Sequence, residues 1–300
     1  MHGRLMSSLA RIAVLCALSL TGAQGALAQH LPDTVTTDVL RVCGDPGNMP
    51  FSERKEDGFE NKIAAIIADE LKVKLRYYWL TQGPGFVRNT LGTGLCDVIM
   101  GQAFGSDLVQ TTNPYYRSAY TLVTRAGEFD GVTGLDDPRL KGKSIGVIAG
   151  TPPVNRMGDL GLVSTMKAYA PYQLDPARKY QTVAAEIIAA LAAKEIDAAV
   201  LWGPAAGWLA KQSPTAMSVV PLLKEPERPP MAYRIAMGVR IGENDWKRSL
   251  NTVLRKRKAD IDKVLREYDV PLLDEDDSKL AEPGDRRRAA IPGVPANLPA

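Results

Sequence analysis

Short apolar runs alternate along this chain with segments of helical periodicity. Runs at 39–43, 74–80, 96–100, 118–125, 144–149, 197–202 and 233–240 predict β-strands. Several are continuously apolar, as suits strands buried on both faces of a parallel sheet. Between the first two, Phe59 to Leu71 sets Ile63, Ile66, Ile67 and Leu71 at helical spacing. Ala184 to Ala193 predicts a second apolar helix, followed directly by the strand at 197. A long amphipathic segment, Asp245 to Tyr268, places Trp246, Leu250, Leu254, Ile261, Leu265 and Tyr268 broadly on one face. Its other face holds Arg255, Lys256, Arg257, Lys258 and Lys263, a run that reads first as a solvated helix face. Alternating strands and helices make the expected fold class α/β. Breaks at Ala126-Gly127-Glu128 and at 224–230 bracket the middle third, which predicts one domain inserted into another. After about 273 an acidic run, a basic run and then Pro292, Pro295 and Pro299 offer little apolar surface. A flexible tail over 273–300 is expected there.

The first residues change the picture of where the chain works. Arg4 and Arg11 precede an apolar core, Ile12 to Leu20, and Ala26-Leu27-Ala28 supplies a small-x-small cleavage pattern. This predicts a cleavable export signal over residues 1–28, with an apolar core too short to span a bilayer. A periplasmic protein without a membrane anchor is the expectation. Removal of Cys16 leaves Cys43 and Cys96, each at the end of a strand-like run. In an oxidising compartment the pair predicts a disulfide, worth about 4 kcal/mol in the chain-entropy model. Two buried reduced thiols are the alternative.

Composition narrows the chemistry. At 300 residues, 45% hydrophobic and 24% charged, the chain resembles an ordinary globular protein of about two domains. The formal net charge is +3, and two of those positives lie in the leader, so nucleic acid is not an expected partner. The two histidines, His2 and His30, cannot build a His-rich metal site or support a catalytic triad in the body. Asp45, Glu53, Glu60 and Asp97 are scattered acids whose spacing fits no metal cage. Without a nucleophile–base pair or a cofactor loop, neither an enzyme nor a cofactor is expected.

Ordered blocks carry a resemblance. The segments LRVCGDPGNMPFS, GFENKIAAIIADEL, CDVIMGQA, NPYYRSAYTLVTR, GKSIGVIAGTPP, EIDAAVLWGPAAGWL and YRIAMGVR are similar to the family 3 periplasmic solute-binding proteins, from about Val39 to Tyr268. The resemblance implies the type II two-lobed fold with two crossover strands. Lobe 1 would comprise 39–124 plus 231–272, and lobe 2 would comprise 125–230. It also implies a ligand cleft between lobes that close about a hinge. Amino-acid receptors of that family hold the ligand carboxylate with an arginine and its ammonium with an acid. Here no basic residue follows Gly101 until Arg117, and Gly203 stands at the place of the acid, so an amino-acid ligand is not expected.

The departures resemble a narrower group, the MxaJ- and XoxJ-type accessory proteins of PQQ-dependent methanol dehydrogenases. The stretch Cys43 to Ser52, then Gly58 to Asn61, the second cysteine, and Leu201-Trp202-Gly203-Pro204 carry that likeness. It implies a maturation or activation partner for a periplasmic quinoprotein of the lanthanide-dependent type, with a protein segment, peptide or small ligand held in the cleft. The alternative is a transporter receptor for a small non-amino-acid solute. Met49, Phe51, Phe104, Tyr115, Tyr116 and Trp202 are the expected apolar cleft residues. Arg117 and Thr151 are the added polar candidates, Thr151 because it opens a helix whose N–H groups accept anions.

Overall fold

The computed structural model describes residues 38–171, 183–226 and 229–281, together with residue 35. The expected export signal lies outside these residues, as does the chain beyond 281. In chain order come β1 (Val39–Gly44), β2 (Gly47–Asn48), β3 (Ser52–Glu53), α1 (Phe59–Leu71), β4 (Lys74–Trp79), α2 (Phe86–Asn89), β5 (Val98–Ala103), β6 (Gln110–Thr111) and β7 (Tyr116–Arg125). Then follow β8 (Ile145–Ile148), α3 (Pro152–Asp159), β9 (Met166–Tyr169), α4 (Val183–Ala192), β10 (Ala198–Trp202), α5 (Gly203–Gln212), β11 (Met217–Pro221), β12 (Ala232–Val239), α6 (Asn244–Lys256) and α7 (Lys258–Glu267).

The main sheet runs β4-β1-β5-β12-β7-β10-β8-β9, with β6 on β12 and β11 on β7. Both of its ends are parallel: β1 pairs with β4 and β5, and β8 with β9 and β10. The join is antiparallel and lies inside one strand. Tyr116 to Ala119 of β7 pair with β12, whereas Tyr120 to Arg125 pair with β10 and β11. The chain therefore crosses into the second lobe along β7 and returns through β12. This is the two-lobed, type II arrangement with its two crossover strands.

Apolar runs become two-faced strands because each lobe covers its sheet on both sides. In β10, Ala199 and Leu201 enter one core with α4 and α5, while Ala198 and Val200 enter the opposite one. Lobe 1 buries Phe59, Ile63, Ala64 and Ile67 of α1 against β1, β5, α6 and α7. Full burial of such side chains contributes roughly 1.5–3 kcal/mol each. Asn61 ties the start of α1, its Oδ1 accepting the Gly58 and Glu53 backbone N–H groups at 3.1 and 3.0 Å.

Two expectations change. The long C-terminal helix breaks at Arg257, whose φ of −102° and ψ of 17° leave the helical region. The break lets Leu250, Val253 and Leu254 share one core with Ile261 and Leu265 beside α1. The basic run is accordingly no free face. Arg257 reaches Asp69 at 2.8 Å and Asp260 at 2.6 Å, and Lys256 pairs with Glu70 at the end of α1. Residues 273–281, expected to belong to the tail, are also held by the body. Leu272 and Leu273 are buried, the Leu273 N–H donates to Arg117 O at 3.0 Å, and Leu273 bridges to Leu280. Apolar burial and backbone pairing thus hold 273–281 against β7.

Cys43 and Cys96 are joined, with their Cα atoms 5.5 Å apart. Their neighbour Asp97 is 0% exposed. Arg41 grips it through Nε at 2.7 Å and Nη2 at 2.6 Å, and Arg240 adds a bond at 3.0 Å. The disulfide and this ion network pin one corner of lobe 1.

Candidate functional site

The β2–β3 hairpin carries Phe51 out of lobe 1. Its ring packs against the lobe 1 core and also against the α4–α5 core of lobe 2. Trp202 makes the reciprocal contact, extending from the end of β10 onto the lobe 1 core. Aromatic rings link the two. Phe51 lies 5.2 Å from Phe59, and Phe59 lies 6.1 Å from Tyr116. Trp202 stands 5.4 Å from Tyr120 and 5.9 Å from Tyr233, both edge-on, where β7 changes partners. Such tilted pairs each add about 0.5–1.5 kcal/mol beyond their burial. The interlobe crevice is floored by aromatic side chains of both lobes.

Polar groups inside this floor are few. Tyr115 Oη accepts the Gly101 N–H at 3.2 Å. Burial holds Tyr115 and Tyr116 far above the usual phenol range, with the nearby Glu60 carboxyl acting in the same direction.

Glu60 is the exception in this setting. It occupies the first turn of α1, where its N–H donates to Phe51 O at 2.9 Å. Its carboxyl reaches under β5, so that a Cβ at Gly101 would collide with Oε1; Gly101 itself has a φ of 67°. The residue as a whole is half-buried. Burial raises its pKa from 4.5 to about 8, and the charge of Asp45 pushes the same way.

Gly203 has a clear physical reason. A Cβ there would stand 2.5 Å from Ala119 O and 2.6 Å from Pro271 Cγ. One turn on, a Cβ at Gly207 would strike the Asp269 carbonyl. The two glycines let α5 of lobe 2 lie directly on the 269–271 segment, and Lys211 pairs with Asp269 at 2.6 Å alongside. An acidic side chain at position 203 has no room.

The expected site residues separate into groups. Phe51, Tyr115, Tyr116 and Trp202 come together, although both tyrosines are only 6% exposed and belong to the core as much as to the crevice. Met49 is partly exposed in the same hairpin loop. Phe104 is 50% exposed at the end of β5 and shares none of these ring contacts. Arg117 points elsewhere: its guanidinium binds the Asp274 and Glu275 carbonyls and faces Asp277 at 3.9 Å. The strand alternation that sends Tyr116 inward sends Arg117 to the opposite face. Thr151 donates its hydroxyl to Ile148 O at 2.6 Å and makes no cap bond to its helix. Sequence reasoning missed Glu60, Tyr120 and Tyr233. An acid in a first helical turn is ordinary, so only its reach beneath β5 distinguishes Glu60. Among the described residues no group of three or more His, Cys, Asp or Glu side chains gathers as a metal site, and no helix is long and apolar enough to cross a membrane.

Known proteins place this geometry. No family model matches the chain. Protein MoxJ of Methylorubrum extorquens is 30% identical over 285 residues, covering 90% of this chain and 93% of that protein. Protein MoxJ of Paracoccus denitrificans is 30% identical over 259 residues, covering 83% and 94%. Among solved structures, periplasmic binding protein XoxJ from Methylobacterium extorquens AM1 is 67% identical with a TM-score of 0.68, over 79% of this chain and 100% of that one. An ancestral cationic amino acid solute-binding protein, 22% identical with a TM-score of 0.61 over 77% and 95%, shares the fold. With an amine-binding acid sterically shut out at Gly203, and with relatives matched along nearly their full length, this chain belongs to the MoxJ/XoxJ family of proteins with the periplasmic-binding-protein fold.

Proposed function

We propose that this protein is a non-catalytic periplasmic accessory protein, exported by a cleaved signal, for a PQQ-dependent methanol dehydrogenase of the lanthanide type. It acts in maturation or activation of that enzyme through protein contact at the mouth of the interlobe crevice. The observation that carries the reading is the packing at Gly203. A receptor for amino acids needs a charged partner for each end of its ligand, and a buried charge without one is costly. Here the lobe 2 position closes on Ala119 and Pro271. Phe51 and Trp202 meanwhile occupy the space between lobes with apolar area of the kind that protein interfaces favour. The 67% identity to XoxJ supports the lanthanide assignment.

The test is capture of the partner from periplasmic extract on the mature protein, followed by its identification. A quinoprotein dehydrogenase is the expected catch; an integral permease complex would sink the reading. Trp202→Ala combined with Phe104→Ala should weaken the captured complex by about 2 kcal/mol or more, the usual threshold for an interface hot spot. Tyr116 is unsuited to this test, because its burial makes it a folding residue.

A further inference from the structure

We propose that the outer edge of β4 is a docking site for an extended acidic segment of another protein, which adds to the main sheet as a further strand. The site goes beyond the accessory role and does not depend on it. The sheet places β1 and β5 between β4 and the crossover strand β12, and β4 shares no residue with the aromatic floor of the crevice.

The backbone of β4 is open on one side. It is the terminal strand of the sheet, paired with β1 alone in unbroken parallel register from Val39 beside Lys74 to Gly44 beside Trp79. The Lys74 N–H donates to Asp38 O at 3.2 Å and the Leu80 N–H to Gly44 O at 3.1 Å, so the even-numbered residues turn their backbone towards β1. The N–H and C=O groups of Leu75, Tyr77 and Trp79 therefore point away from the sheet, and among the described residues no strand meets them. Native edges are commonly blunted by shortness, a proline or a bulge. β4 has six residues, no proline and no shift in register, whereas β9 at the other end of the sheet has four. Alternating donors and acceptors are matched by another peptide backbone, which is how an added strand binds. A phosphate chain offers acceptors alone.

Side chains select the occupant. Lys74, Arg76 and Tyr78 alternate on one face and are exposed. Beside them on β1 stand Val39, Arg41 and Cys43. Arg41 is held by Asp97, and Lys72, just before the strand, pairs with Asp69. The Lys74 and Arg76 side chains have no acid partner among the described residues. On the other face Leu75 and Tyr77 rest on the lobe 1 core, and Trp79 stacks on Tyr77 with ring centroids 4.5 Å apart, which holds the strand in place. Opposite charges on neighbouring strands favour pairing and like charges oppose it. A second copy of β4 brings the same two cations. The chain's own 282–300 brings Arg286, Arg287 and Arg288 together with four prolines. Charge disfavours both. The fitting occupant has carboxylates two residues apart facing Lys74 and Arg76, with apolar residues between them on the side of Leu75 and Tyr77.

Calorimetric titration of the mature protein with the end-blocked peptide Thr-Val-Glu-Val-Glu-Val-Thr, alongside amide hydrogen exchange, tests the site. Binding with a Kd below about 1 mM is expected. Exchange should slow at the Leu75, Tyr77 and Trp79 amides, which are open in the free protein. N-methylation along the peptide keeps every side chain and removes the backbone donors, and it should weaken binding about tenfold or more. Thr-Val-Lys-Val-Lys-Val-Thr should bind about tenfold more weakly or worse, because like charges then face each other. Lys74→Glu combined with Arg76→Glu should reverse the preference between the two peptides, a result that misfolding cannot produce. The wild-type measurements keep the test decisive if that variant does not fold. Equal affinity for the two peptides, unchanged affinity after N-methylation, or an unreversed preference in the folded variant would overturn the proposal. So would slowed exchange elsewhere than β4, a β4 edge already protected in the free protein, or no binding up to about 1 mM. Partner capture is read separately, so either idea can fail without the other.

Discussion

Asp97 and Glu60 are two acids at the two ends of β5, and the protein treats them in opposite ways. Asp97, just before the strand, is fully buried and held by Arg41 and Arg240, with the Trp246 indole donating to its backbone carbonyl at 3.0 Å. Glu60 reaches under the strand towards Gly101, where burial raises its pKa. A buried charge survives when paired and hydrogen-bonded, so the first arrangement is architecture. For the second, desolvation raises the pKa and the charge of Asp45 acts in the same direction. Neither acid can be assigned by burial alone; what separates them is the partner set.

Asp97→Ala should produce the largest effect on that contrast. It removes the buried carboxylate shared by Arg41 and Arg240, although Arg240 keeps Glu243 at 2.7 Å, and truncating one partner of a buried pair costs about 3–5 kcal/mol. Urea unfolding would read this directly. A loss below about 1 kcal/mol would mean that the corner behaves as a surface ion pair, and the contrast would collapse.

Glu60 should show a smaller effect with a pH signature. Its folded pKa of about 8 lies above the unfolded 4.5, so the folded protein binds more protons between those values. Stability should therefore fall as pH rises through that window and level off above it. Glu60→Gln should flatten this slope and exceed the wild type in stability at alkaline pH by about 2–3 kcal/mol. Thermal melts across the window decide it. A slope that persists in the variant would place the titration on another group.

Smaller still is the effect expected at the back of the hinge strands. Arg117→Ala removes the bonds to the 274–275 carbonyls and should cost about 1–2 kcal/mol. Deleting 282–300, which offers little apolar surface, should leave the melting temperature nearly unchanged. If the deletion costs as much as the substitution, the dependence of the body on its C-terminal chain extends past Ala281.

Much of the fold was legible because each lobe buries its strands on both faces. The run at 197–202 needs no partner information to read as a strand, and its residues do alternate between two cores. The cysteine pair was legible for a similar reason: two strand ends and an oxidising compartment leave few options. The helix break was not. Asp245 to Tyr268 keeps one apolar face throughout, and only the acids at the end of α1 explain why the chain turns at Arg257. Arg117 misled because its neighbour Tyr116 does lie in the crevice, and one residue along a strand reverses the face.

By itself, the sequence determined the α/β class, the breaks that bracket the middle third and the paired cysteines. These follow from local periodicity and residue type, which the chain carries at every position. Tertiary structure alone decided which acid is paired, which glycine is sealed and that Leu273 docks on the body. Those depend on what lies across a gap of many residues: Arg240 for Asp97, Pro271 for Gly203, and Leu280 for Leu273. Energies of burial and pairing are set by the partner as much as by the residue, and the partner is known only once the chain has folded.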